Sequence, residues 1–395
     1  MNRRNFIRIA GGGIVLAASA AALATRDMFA VPASAVAAWQ APPAGLDARR
    51  WALSYALLAP NPHNLQPWIA DLSADSEIVL RLDPKRQLPA TDPYGRQILM
   101  GAGAFLELLG MAAAERGFRT EMALFPEGEP GERLDGRPLA RIRMVSEGSA
   151  PRDPLFAQVL NRRTDRRAYD PARPIAAADV AKLRAATGIS SVRFGLAGSA
   201  EALPGDAQRV AQIRAVVREA WRIELTTEAT MMESMRLLRV GSAEIEQHRD
   251  GISITSPFLV LLDRAGLFDR TRFPAPDSQA ISGQIKDFDS ITASTPAYLW
   301  LVTEGNGRPQ QIEAGRAYVR VNLAGAAMGL AMHPNEQSLQ EYPQVSKSYE
   351  SIHKLLDAPA PRYTVQMLAR TGYLPSGSTA AAPAPRRGLT RLISS

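Results

Sequence analysis

The chain has no cysteine among its 395 residues, which removes disulfides, thiolate metal centres, iron–sulfur clusters and a cysteine nucleophile from consideration. Histidine is nearly as scarce. The four present, His63, His248, His333 and His353, lie far apart and form no His-x-x-x-His or similar metal-ligand spacing. No Gly-x-Ser-x-Gly elbow occurs, so a hydrolase nucleophile of that kind is unsupported. No Gly-x-Gly-x-x-Gly opens a helix after a strand, which leaves out a dinucleotide site of the Rossmann type. Lysine-rich tracts and aromatic-interleaved basic strands are missing as well. The formal charge of +7 therefore reads as solvated helix faces and not as a nucleic-acid surface.

The first residues read as a targeting segment. Arg3-Arg4-Asn5-Phe6-Ile7-Arg8 is a twin-arginine pattern, residues 9–24 are small and apolar, and Ala33-Ser34-Ala35 suits a signal peptidase. The expectation is a signal peptide over 1–35, recognition by the twin-arginine export machinery, and a periplasmic or otherwise exported protein. The apolar run is shorter than the roughly 20 residues of a membrane span, and both cleavage and an uncleaved membrane tether stay open. Without the signal roughly 360 residues remain, room for two domains or one large one.

Periodicity then predicts an alternation of helices and strands. A helix over 45–58 ends at Pro60 and Pro62. Ile78, Leu80 and Leu82 alternate as in a half-buried strand. A second helix begins at Asp92-Pro93 and is closed by Gly117; its Gly101-Ala102-Gly103-Ala104 run invites close packing against another helix or a ligand. Strands follow at 122–124 and 142–144. A second unit starts near Pro151, with a helix at 176–187, a strand through Val192, Phe194 and Leu196, and a strong helix at 205–226 that reads as the repeat of the first unit's long helix. Residues 230–293 show no simple period. Order returns with a buried strand at 298–303, a small-residue helix at 310–330, the polar loop His333-Pro334-Asn335-Glu336-Gln337, and a last strand through Val365, Met367 and Ala369. Residues 374–395, rich in Ala, Pro, Ser and Gly, read as a disordered tail.

Two stretches carry chemistry. Pro62-His63-Asn64-Leu65-Gln66-Pro67-Trp68 is a hook fixed by two prolines, and His63, Asn64 and Gln66 offer mixed donors and acceptors suited to the edge of a flat polar heterocycle. About a hundred residues later, Asn161-Arg162-Arg163-Thr164-Asp165-Arg166-Arg167 supplies the clustered cations that a phosphate needs. Standing alone, such a cluster is more often a surface patch, and His63 either donates to a ligand or orders the turn.

Taken together, His-Asn-x-Gln-Pro-Trp and Arg-Arg-Thr-x-Arg resemble the nitroreductase superfamily, and most of all its long, internally duplicated Acg-like branch. The resemblance implies an α+β fold with mixed sheets and flanking helices, in which two fused halves, 45–150 and 151–373, form a pseudo-dimer around one flavin mononucleotide (FMN). It implies cofactor binding by His63, Asn64, Gln66, Arg162, Arg163, Thr164 and Arg166, with Arg370 of the closing segment joining them and Arg166 facing the N1–O2 edge of the ring. Tyr169 sits one residue later than the usual motif aromatic, and Thr164 stands where the motif has serine. In the Acg-like branch the counterpart of 230–293 is a lid; from pattern alone it is equally an interdomain connector. The implied activity is ping-pong hydride transfer from a small-molecule electron donor to nitro- or quinone-type acceptors. A flavin-sequestering protein with a closed lid and little turnover is the alternative, and a structural protein without ligand is a third.

Overall fold

A computed structural model describes residues 28–148, 150–201 and 205–394; the twin-arginine pattern and the apolar run at 9–24 lie outside the described residues. A 3-10 helix at Ala33–Trp39 precedes α1 (Ala48–Ala56), whose N-cap Asp47 accepts from the amides of Arg49 and Arg50, donors that a helix start leaves without partners. After the hook come β1 (Trp68–Asp71) and β2 (Glu77–Leu82), and β2 buries Ile78, Leu80 and Leu82 as its alternation predicts. The next helix, α2 (Arg96–Glu115), begins later than Asp92-Pro93. Asp92 instead caps it from a turn ahead, accepting from the amides of Gln97 at 3.1 Å and Ile98 at 2.9 Å. Among the described residues α2 alone is long and apolar enough to cross a membrane, and 83% of that stretch is packed inside the protein. β3 (Phe118–Leu124) and β4 (Pro138–Ser146) complete an antiparallel sheet of order β1-β2-β4-β3.

The second sheet repeats this plan around an insertion. α3 (Ala177–Ala186) and β5 (Val192–Ala197) are followed by α4 (Asp206–Thr226), α5 (Glu228–Arg236), β6 (Leu238–Val240), α6 (Gly241–His248), β7 (Ile252–Ile254), α7 (Pro257–Arg264) and α8 (Gln279–Ala293). Then come β8 (Ala297–Glu304), α9 (Arg308–Ala327), β9 (Ala331–Pro334), α10 (Ser346–Leu355) and β10 (Tyr363–Gly372). The order is β5-β8-β10-β9, the strand order of the first sheet, with α10 added between β9 and β10 and one larger change. A short turn joins β1 to β2, whereas α4 to α8 separate β5 from β8. The counterpart of α2 is thus α9, and not the helix at 205–226, which belongs to the insertion. Both large sheets are antiparallel; parallel pairing enters in the small β6-β7 ladder and at isolated bridges such as Ala70 with Ile393.

Burial explains the pattern of the second sheet. Leu299 and Leu301 of β8 join one apolar core while Tyr298, Trp300 and Val302 join another. Alternate residues point to opposite faces, so helices cover both sides, and a nearly unbroken apolar run results.

The two long helices hold the halves together. A Cβ added at Gly103 of α2 would lie 2.1 Å from the carbonyl oxygen of Ile312 in α9, and one at Gly315 would lie 1.9 Å from that of Met100. Gly315 follows Gly103 by 212 residues (103 to 315), and Ile312 follows Met100 by the same 212 (100 to 312). The contact is therefore reciprocal, as a two-fold relation between the halves requires. The small-residue run packs helix on helix. Glu107 of α2 adds charge to the crossing, accepting from Arg316 Nε and Arg320 Nη1, each at 2.8 Å.

One buried carboxylate works against the fold. Glu224 of α4 is 3% exposed, and burial pushes its pKa up to about 7 despite donors from Gln340 and Gln337. A carboxyl whose folded pKa lies above its unfolded value costs stability once ionised, and the cost fades as pH falls through that folded value. Glu224→Gln is expected to stabilise the protein at pH 8 by on the order of 2 kcal/mol, with the gain shrinking toward pH 4.5. Urea unfolding at both pH values checks this, and a gain independent of pH would show that ionisation is not the cause.

Past β10 the described residues up to 394 pack against the fold, contrary to the disordered tail expected for 374–395. Trp39 Nε1 donates to the carbonyl of Ala384 at 2.8 Å. Arg386 is 3% exposed, α11 (Leu389–Leu392) follows, and the amide of Ser394 donates to Ala70 beside β1 at 2.9 Å. The expected cleavage site, Ala33-Ser34-Ala35, also lies within the fold: Ala35 is fully buried, and its carbonyl accepts from the amide of Arg386 at 2.9 Å.

Candidate functional site

The hook bends sharply. His63, Asn64 and Gln66 have φ of 47°, 53° and 51°, left-handed values that cost a non-glycine residue on the order of 1 kcal/mol each. Asn61 helps to hold the bend, its Oδ1 accepting from the amide of Gln66 at 2.8 Å. The side chains then part company. Asn64 Nδ2 donates to Pro385 at 3.1 Å, and its Oδ1 accepts from Arg386 Nη1 at 2.7 Å. Gln66 donates to the carbonyl of Arg249 at 3.0 Å and accepts from the amide of Arg387 at 2.8 Å. Both amides are thus engaged by the C-terminal segment and the insertion. His63 is different: its Nε2 lies 3.3 Å from Ser234 Oγ of α5, while its buried Nδ1 has no partner. Burial, then Arg166, pull its pKa down to about 4, so the ring is neutral.

The cationic stretch lies against the same corner. Arg162, 2% exposed, donates from Nη2 to the carbonyl of Leu58 at 2.9 Å and from Nη1 to Asn322 of α9 at 3.2 Å. Its Nε is unpartnered, and burial lowers its pKa to about 10. Arg163 caps local carbonyls and lies 4.5 Å over the Trp39 ring. Thr164 is half-buried between them and Asp165. Asp165, the carboxylate within the motif, is already taken by Arg167 at 2.6 Å. Arg166 is exposed and among the described residues has no hydrogen bond or ion pair; crowding by protein and then by Arg370 lowers its pKa.

Arg370 completes the group from β10. It is fully buried, lies 4.1 Å over the ring of Tyr169, and donates to the carbonyl of Arg167 at 2.8 Å and to His333 Nδ1 at 3.0 Å. Its Nη1 is buried without a partner.

Hook and cluster do meet. The carbonyl of Leu58 accepts from both Arg162 and Arg386 at 2.9 and 3.0 Å, and Arg386 reaches on to Asn64. Five arginines therefore converge, and among the described residues the one carboxylate beside them, Asp165, is paired with Arg167, an arrangement that favours a bound anion. Sequence reasoning missed Arg386, Ser234, Asn322 and the buried Tyr318, which lies close enough to Arg162 and Arg166 to feel both charges. Arg386 and Ser234 reach the site only through long-range folding. Tyr318 and Asn322 stand on the small-residue helix that was legible, four residues apart on one face. The shallow depression beside Gln66, lined by Leu57, Trp68, Arg387 and Leu392, has a cavity volume of only about 10 Å³, room for about one water.

Arg386 is a clamp as well as a charge. Its guanidinium donates to the carbonyls of Leu57, Leu58 and Ala59 just past the end of α1, where helix carbonyls lack internal partners. Arg386→Ala is expected to cost on the order of 3 kcal/mol and to free 384–394. Brief trypsin treatment should then cut at Arg387 and Arg391 well before the core; an equally resistant variant would show that the clamp is idle.

No family model matches the chain. A protein of Mycobacterium tuberculosis strain H37Rv named "Putative NAD(P)H nitroreductase" is 27% identical over 358 residues, 87% of this chain and 90% of its own length. A second of that name and organism is 35% identical over 120 residues, 30% of this chain and 35% of its own. A solved nitroreductase with bound FMN from Bacteroides fragilis covers 60% of this chain and 96% of its own at 12% identity, with a TM-score of 0.35. An FMN-dependent nitroreductase of Mycobacterium smegmatis solved with NADPH gives 16% identity, 60% and 96% coverage, and a TM-score of 0.36.

Proposed function

We propose, from kinship with a protein named as a nitroreductase over most of both chains, that this protein is an FMN-dependent oxidoreductase of nitroreductase type. The observation that carries the reading is the convergence of the hook with donors that lack acceptors among the described residues, Arg166, Nη1 of Arg370 and Nε of Arg162, beside the unpartnered Nδ1 of His63. A dianionic phosphate and a ring edge of carbonyls are the kind of group that such a set fits.

Arg166 and Arg370 would hold the negatively charged parts of the cofactor, with His63 and Tyr318 beside its polar edge. FMN, when bound, supplies hydride acceptance and donation. The chain's part is placement and electrostatics: fixed cations stabilise negative charge that grows on reduction, and they do so more strongly where water is excluded. The insertion helps to exclude it. Ser234 meets His63, the amide of Gly251 donates to the carbonyl of Asn64, and Glu233 accepts from the amides of Ala90 and Thr91.

Those insertion contacts favour a second reading, flavin sequestration under a closed lid with little turnover. Natively purified protein separates the two. The oxidoreductase reading expects a yellow protein bleached by NAD(P)H or dithionite and recoloured by a nitroaromatic or quinone over many cycles. Yellow protein that dithionite bleaches only over hours supports sequestration, and colourless protein sinks both. Export of the folded, loaded protein through the twin-arginine machinery is proposed on Arg3, Arg4 and residues 9–24; recovery only in the cytoplasmic fraction would overturn it.

A further inference from the structure

We infer that Arg370 locks His333 as the tautomer protonated at Nε2, making it an uncharged third donor beside Arg166 and Arg370 toward the bound flavin. The second part rests on the flavin reading; the lock does not.

Backbone pairing brings the two side chains together. β9 and β10 are antiparallel, and Arg370 stands directly opposite His333 in the register, so both project from one face of the sheet. Arg370 Nε is 3.0 Å from His333 Nδ1. An arginine Nε always carries hydrogen and never accepts. The bond therefore exists only when Nδ1 is bare, which leaves the proton of the neutral ring on Nε2.

Protonating Nδ1 would set two N–H groups face to face and place a third positive charge beside two. Burial holds the ring's pKa well below the usual value, and the charged groups that face it, Arg166 of the motif loop and Arg370 of β10, are both cations and act in the same direction. Glu336, three residues past His333, is turned away, toward Arg96 and the amide of Leu368. Among the described residues His333 Nε2 has no partner, and the ring is half-buried. An N–H that cannot ionise at neutral pH donates a hydrogen bond but does not deliver its proton as an imidazolium. His333 is thus suited to stabilise charge on a reduced ring or a phosphate oxygen, not to act as a general acid.

Two measurements on the full chain test this. In two-bond ¹H–¹⁵N correlation spectra of flavin-free protein labelled at histidine, His333 should show the Nε2–H pattern without change from pH 8 to 5.5; an Nδ1–H pattern, or titration near pH 6, overturns the lock. In holoprotein, His333→Ala should weaken FMN binding about fivefold, the worth of one hydrogen bond, and lower the midpoint potential, with His333→Gln restoring both by supplying an amide N–H. Unchanged affinity and potential in His333→Ala overturn the donor role. A protein that binds no flavin refutes the function proposed above, while the spectra still decide the lock.

Discussion

Gly315→Ala is expected to destabilise the protein by about 3 kcal/mol or more, and Gly103→Ala by nearly as much. The added methyl carbons would stand 1.9 Å and 2.1 Å from backbone oxygens of the facing helix, where non-bonded carbon and oxygen need more than 3 Å. Rotating a side chain relieves neither clash, because the obstacle is main chain. The helices must separate, and with them the Glu107 contacts to Arg316 and Arg320. Gly110, in the same helix, is the internal control. A Cβ there would meet Thr120 Oγ1 at 3.4 Å, so Gly110→Ala should be neutral or slightly stabilising from helix propensity. Urea unfolding of the three variants decides: a Gly315→Ala protein as stable as Gly110→Ala would disprove the close crossing.

Arg166→Ala is expected to weaken FMN binding by about 10- to 100-fold, the range for losing a charge-assisted hydrogen bond of roughly 1.5–3 kcal/mol. Stability should not fall, since among the described residues the side chain makes no hydrogen bond or ion pair and its charge is crowded by protein and repelled by Arg370. That separation makes it the cleanest test of the site. Arg370→Ala should also release FMN but destabilise the fold, because its guanidinium holds the carbonyl of Arg167, His333 and the face of Tyr169. Equilibrium dialysis with FMN, alongside unfolding curves, separates the effects. Full occupancy in Arg166→Ala would remove that residue from the site.

What could be read in advance depended on range. The alternation of Ile78, Leu80 and Leu82 and the small faces of α2 and α9 are local patterns set by strand and helix periods, and they appear as strands and packed helices. The hook and the arginine stretch were visible as chemistry because turn-forming prolines and clustered guanidinium groups are themselves local. Where their side chains end was not visible. Asn64 and Pro385 are 321 residues apart, Ser234 and His63 are 171 apart, and no pattern within a window reports such a meeting. The tail misled for a related reason: its Ala/Pro/Gly composition favours disorder on average, yet buried Arg386 with its cage of carbonyls, and the bonds made by Ala384, Arg387 and Ser394, dock it. The helix at 205–226 misled in the opposite way, its strong amphipathic period being real but belonging to the insertion.

The reciprocal crossing of α2 and α9 has a kinetic side. Because both partners are tethered on one polypeptide, their encounter is first order, and no drop in protein concentration can dissociate it. An assembly of two separate subunits would lose its shared corner at nanomolar levels if weakly bound; here the corner between the halves should persist however far the sample is thinned, and only release of a bound small molecule would depend on concentration.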